Sequence, residues 1–438
     1  MNILQSIFII VVVSLASCQT RNSTMQESNA VPELLMRAQV IGPEEEMGYT
    51  LDMYNNLTGK IKANPDDIES KLALAELFMQ EARISGEHGH YYPAALEMIS
   101  GALESNPKEA LKYRGLLDKA SVLLSLHQFK EAREVGEQAL DLNAHSADAY
   151  GVLADAYVEL GHYDKAIIMA DKMVSIRPDL RSYSRVSYLR EIHGEVDGAI
   201  EAMKLAVAAG YPGMEQTEWA RLTLGHLYER YGSLDSALMQ YQIALSARPN
   251  YPFAIGAMAN TYAAMGNESM ADSLNTVAIG LIPEVGFYVD KAGWEKERGN
   301  TETTKKITGE ILEMMADDEK AGHSMSLELS KVYLMLIDDA EEALKYAMKE
   351  YKIRPDNIDV NKMLAEIYYH KGDMNLANEH LIKSLRTGSK DPSARCLEGI
   401  LLTKGNKAEE GARLIQQVFV KIPYLDCSYC KEARSIII

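Results

Sequence analysis

Two clusters of residues in this 438-residue chain have types and spacings that could do chemistry. Near the C-terminus, Cys427 and Cys430 form a Cys-x-x-Cys pair directly after Asp426. If a short helix opens at Cys427 with Asp426 as its N-cap, both thiols lie near its positive end and their pKa values fall. Such a pair can exchange disulfides, give two sulfurs to a metal, or close as a small structural disulfide. Redox chemistry of the thioredoxin kind needs a βαβ pattern around the pair, and a closed zinc site needs four ligands. Neither surrounds it, so in an oxidising compartment the pair reads as a disulfide pinning a terminal helix. The second cluster is Gly86-Glu87-His88-Gly89-His90-Tyr91-Tyr92. His88 and His90 on a glycine-bearing loop could hold a transition metal with Glu87 as third ligand. The competing reading is a metal-free surface loop that bridges two helices of an enlarged unit.

Other reaction machinery is missing from the sequence. There is no Gly-rich phosphate loop, nucleophile elbow or His-Glu-x-x-His run. Paired carboxylates abound, but a charged helical surface produces them by default. No residue is assigned a catalytic role, no cofactor is expected, and the chain reads as a non-enzyme. The formal charge of −18 is spread along the length. That disfavours nucleic acid, which needs a basic stripe, and suits a body that accepts basic or polar protein segments.

The elements that must position these residues follow from a repeat of about 34 residues. From Ala147 the chain places Tyr150, Leu153, Ala154, Tyr157, Gly161, Tyr163, Ala166, Ala170 and Pro178 at steps 4, 7, 8, 11, 15, 17, 20, 24 and 32. The stretches from Glu218, Pro252 and Ile358 return the same frame, with Gly225, Ala259 and Ala365 at step 8 and Ala237, Ala271 and Ala377 at step 20. Steps 4, 7, 8 and 11 share one helical face, and steps 20, 24 and 27 share another. Small residues at steps 8 and 20 let two helix backbones approach closely, glycine at step 15 supplies a left-handed C-cap, and proline near step 32 stops the second helix. The proline spacings support the frame. Pro249 to Pro283 is one unit, and Pro178 to Pro249 and Pro283 to Pro355 are two units plus short insertions, near Gly210–Gly213 and near residues 317–322. Around Ser324 the first helix is shifted by one residue.

This pattern resembles the tetratricopeptide repeat, a helix–turn–helix unit of that length. The resemblance implies an all-α fold, a right-handed α-α superhelix of about ten units over residues 34–423, since no unit can bury its apolar stripe alone. It also implies that steps 2, 5, 9, 12 and 13 of each first helix line a concave groove that takes protein or peptide partners. Those steps give Tyr188 and Glu191, then Trp219, Leu222, His226, Glu229 and Arg230, then Phe253, Gly256 and Asn260, and further on Asp359, Lys362, Glu366, Tyr369 and His370. Trp219 and Phe253 share step 2 of adjacent units. Beside Arg230, Glu229 and Asn260 they form the expected hot spot. The carboxylate clamp of heat-shock co-chaperones is incomplete, because Glu366 stands where the Asn after Lys362 would be. Cys396 falls in the first helix of the last unit and reads as a small packing residue.

The N-terminus differs. Residues 7–15 are an apolar run of signal-peptide length, too short to span a bilayer as a helix, and end in Leu15-Ala16-Ser17-Cys18. That tetrapeptide resembles a bacterial lipobox, which implies lipidation at Cys18 and removal of residues 1–17. Gln19 after the cysteine leans toward the outer membrane. Residues 18–33 then form a flexible tether, and residues 424–438 a C-terminal tail carrying the cysteine pair. The expectation is a scaffold held to the cell envelope by lipid, binding protein or peptide in its groove, with a redox or metal-handling accessory as the alternative.

Overall fold

The computed structural model describes residues 31–437. The apolar run, Cys18 and most of the tether lie outside them. Helix α1 (Glu46–Ala63) precedes ten helix pairs. These are α2 (Ile68–Ser85) with α3 (His88–Glu104), α4 (Glu109–Ser125) with α5 (Phe129–Leu142), α6 (Ala147–Glu159) with α7 (Tyr163–Ile176), and α8 (Leu180–Ile192) with α9 (Val196–Ala208). Next come α10 (Glu215–Arg230) with α11 (Leu234–Ala247), α12 (Pro252–Ala264) with α13 (Glu268–Leu281), and α14 (Val285–Glu297) with α15 (Thr301–Lys320). The last are α16 (Ser326–Val332) with α17 (Ala340–Ile353), α18 (Ile358–His370) with α19 (Met374–Ser384), and α20 (Pro392–Lys404) with α21 (Ala408–Lys421), followed by a short α22 (Cys430–Ile436). No strand occurs among the described residues, and none of their helices is long and apolar enough to cross a membrane.

Each helix packs chiefly on its pair mate, and the first helices of neighbouring pairs also touch, so the apolar stripes merge into one continuous core. Ala154, Ala259 and Ala365 at step 8 and Ala166, Ala237, Ala271 and Ala377 at step 20 are almost wholly buried. Ser146 and Asp179 cap α6 and α8 by accepting the Ala149 and Ser182 amides at 3.0 Å. The frame is left-handed at step 15 even where glycine is missing, since His127 and Asp338 take φ of 57° and 62°.

One local expectation is corrected, and two irregularities of the frame take a definite form. The stretch from Gly86 to Tyr92 is not a loop, because α3 starts at His88. The insertion near residues 317–322 prolongs α15 to 20 residues, ending at Lys320 before a turn at Ala321 and Gly322. Around Ser324, α16 absorbs its extra residue as a π-helical turn over Tyr333–Ile337, the usual way one inserted residue is housed without breaking a helix.

The superhelix closes on itself. Seven hydrogen bonds between distant units share separations of 194 to 198 residues. Ile358 N donates to Tyr163 Oη (2.8 Å), Asn357 to the Glu159 carbonyl (3.0 Å), and Tyr424 Oη to the Glu229 carbonyl (2.6 Å). The turn inside a pair on one lap therefore rests on the loop entering a pair of the next lap, about five and a half pairs later. The glycines at step 15 record this contact. A Cβ on Gly161 would lie 2.4 Å from the Asp356 backbone, and one on Gly194 2.4 Å from the Gly388 carbonyl oxygen. At the same step Gly266, Gly299 and Gly372, which no later lap covers, have nothing within 4 Å. An irregular strap before α1 adds a further tie: Ile41 is buried, and the fully buried Arg248 bonds Glu46 at 2.7 and 2.8 Å.

Candidate functional site

The first helices turn step 2 and, in α4, steps 5, 9 and 13 toward a shared concave surface, a lumen that the next lap borders. A cavity of about 1010 Å³ on it takes the step-2 residues of five successive units: Arg114, Asp148, Arg181, Trp219 and Phe253. Leu117, Ser121 and Ser125 of α4 add steps 5, 9 and 13, while Glu284 and His323 come from the next lap. Applying the groove steps to the units from Tyr113 and Ala147 finds Arg114, Leu117 and Asp148. A groove begun at Leu180 leaves them out.

Trp219 stays 49% exposed and meets Phe253 edge to face, with ring centroids 5.5 Å apart at 86°. Phe253 is held in turn by Tyr251 and Phe287. Tyr188 lies apart from them in a neighbouring pocket of about 330 Å³ with Asp155, Glu159 and Arg185. It is 37% exposed to water, yet burial drives its phenol well above the ordinary range. Its hydroxyl shares that pocket with acids of the preceding unit.

The polar members of the expected hot spot are committed to internal partners. Arg230 pairs with Glu191 of the preceding unit. Tyr241 Oη donates to Glu229 (2.9 Å) and lies 3.1 Å from His226 Nδ1, and Asn260 donates to Asp290 (2.8 Å). Leu222 and Gly256 are buried between helices and do not face the groove. Further along, Lys362 pairs with Asp391 at 3.0 Å and helps hold that carboxyl well below the usual carboxylate range, while burial raises Asp359 and Glu366.

His88 and His90 stand two residues apart on α3 and so project to different sides, which rules out the joint chelation a loop would allow. His88 stacks on Tyr92 (5.4 Å) and reaches the cavity, whereas His90 meets the edge of Tyr91 (4.9 Å). At the C-terminus Cys427 and Cys430 are joined by a disulfide. Helix α22 begins at Cys430 after Tyr429, so neither Cys427 as helix start nor Asp426 as N-cap holds. No spacing in the sequence shows that Cys396 packs against them; all three sulfurs lie within 4.8 Å of one another. Cys396 is fully buried and its thiol is pushed up to about 12, an unreactive packing group.

The geometry defines a helical-repeat protein with a lined interior. Residues 123–190 match the tetratricopeptide repeat family model TPR_19, and the chain is similar there to such repeats. Among solved structures, TTC0263, a thermophilic TPR protein in Thermus thermophilus, is 24% identical, covering 45% of this chain and 98% of that one at a TM-score of 0.38. YrrB, described as a TPR protein with an unusual peptide-binding site, is 23% identical over 44% of this chain and 96% of that one, with a TM-score of 0.29. The APC/C hetero-tetramer Cut9-Hcn1 matches at 15% identity over 82% and 74%, with a TM-score of 0.41. Comparison with curated proteins gives no match.

Proposed function

We propose that this chain is a tetratricopeptide-type scaffold that holds a polypeptide partner inside its lumen, tethered by lipid at Cys18 to a bacterial envelope membrane. The observation that carries the reading is Trp219, a half-exposed tryptophan set edge-on to Phe253 in a cavity of about 1010 Å³. Large aromatics with free faces in a concave site dominate binding energetics. Trp219→Ala should weaken the native partner by about 2 kcal/mol with little change in fold. A photo-crosslinking residue at Gln216, on the cavity wall, should capture a polypeptide in cells. The same group at Ile168, 54% exposed on the second helix of its pair, should not. Equal capture at both positions would sink the lumen reading. The tether rests on the apolar run and Leu15-Ala16-Ser17-Cys18. Cys18→Ala should move the protein from the membrane to the soluble fraction; retention on the membrane would reject it.

A further inference from the structure

The charges on the cavity wall do not balance. Each arginine there already has a carboxylate: Arg83 with Glu215 (3.4 Å), Arg114 with Glu76 (2.6 Å), Arg181 with Asp148 (3.4 Å) and Arg185 with Asp155 (2.5 Å). Two acids on the same wall, Asp118 and Glu284, form no ion pair among the described residues. Two of the cavity's histidines do not supply the missing charge, since burial lowers His88 and takes His323 down to about 3, and the third, His127, lies 3.8 Å from a different acid, Glu328.

Asp118 is the more telling acid. It is 8% exposed, and its Oδ2 meets no hydrogen-bond donor. Of its charged neighbours, Glu76 on α2 repels it and Arg114, one turn back on α4, is committed to Glu76. A buried carboxylate without a partner works against folding, and an asparagine of the same shape would cost less because it carries no charge to bury. Nothing in the packing of α4 requires the acid. The same cavity wall carries Met79 and Leu117 as apolar surface and, further along the lumen on α10, Trp219 as an aromatic face. That combination suits a charged head on an aliphatic stem. The cavity is also larger than one such side chain needs and continues a lumen lined by successive units, so a polypeptide fits it better than a free small cation.

Resting on the lumen reading above, we propose that Asp118 seats a cationic side chain, lysine or arginine, of the bound polypeptide segment. The cation supplies the ion pair that the fold leaves open, and the segment's neighbouring residues run past Trp219.

The full chain carries two tryptophans, so with Trp294→Phe as background the emission of Trp219 reports on this cavity alone. Three probes are titrated: a blocked tetralysine peptide, its fully Nζ-acetylated counterpart, and spermidine. The expected result is saturable binding of tetralysine, at least tenfold weaker binding of the acetylated peptide, and loss of that preference in Asp118→Asn. Asp118→Asn should keep or raise the thermal midpoint, and Asp118→Ser provides the same comparison should the amide variant fail to fold. Equal binding of tetralysine and its acetylated form, or a preference that survives both substitutions, overturns the cation seat while crosslinking at Gln216 judges the lumen reading separately. Binding of spermidine but not tetralysine overturns the polypeptide source. No response to any probe overturns the proposal.

Discussion

At the scale of single residues, Asp118 sets function against stability. Burial pushes its carboxyl up to about 7, with Glu76 adding to the rise and Arg114 opposing it. The folded-state pKa therefore lies above the ordinary 3.8. The group's contribution to stability is fully present below about pH 4 and is lost as pH climbs toward about 7. Asp118→Asn should accordingly stabilise the fold at pH 8 by on the order of 3 kcal/mol, a gain that fades as pH drops toward 4. Urea unfolding across that range measures it, and a loss of stability at pH 8 would mean the carboxylate has a structural partner. Residues of this kind are hard to read in a sequence. Asp118 is one acid among 63 Asp and Glu, and what sets it apart is burial with an oxygen that no donor meets, since the nearby Arg114 is taken by Glu76. Trp219 was legible because its step in the frame fixed its direction. The partners of His226, Glu229 and Asn260 were not, since hydrogen bonds across units depend on side-chain length and rotamer.

At the scale of elements, the step-8 residue decides how closely a pair can pack. A Cβ on Gly225 would lie 2.2 Å from the ring of Tyr241, whose hydroxyl is held by Glu229. Gly225→Leu should force that ring aside and destabilise the chain by about 1–3 kcal/mol, or more if the Tyr241 hydroxyl loses its acceptor. Chemical denaturation should show the loss, while Gly280→Leu, with nothing within 4 Å of its Cβ, should cost far less. Helix pairs were visible in the sequence because burial repeats at fixed steps. Insertions were visible only as changes of spacing. The same kind of extra length became a longer α15 in one place and a π-helical turn in another, because neighbouring packing selects among backbone solutions that composition leaves equal.

At the scale of the whole molecule, contact between laps turns an open groove into a lumen. Arg354 sits at that contact, nearly buried, bonding Glu350 (2.7 Å) and Glu159 of the earlier lap (2.5 Å) over the face of Phe129. Arg354→Ala leaves two acids facing each other and should cost about 3 kcal/mol. Hydrogen exchange should then quicken at residues 159–163 and 354–358, on both sides of the seam, and far less within helix pairs remote from it. Changes confined to Arg354's own unit would show that the laps do not support each other.

The sequence alone determined the all-helical repeat, the pairing of its helices and which steps point inward, because each depends on neighbours within one or two units. Only the tertiary structure decided that the spiral closes after about 195 residues. Small rotations between units add up over a lap, and no local pattern records their sum. That closure explains why Gly161 and Gly194 tolerate no side chain while Gly266, at the same step, has open space. It also encloses Asp118 and Trp219 in a space where a partner's charge would be felt.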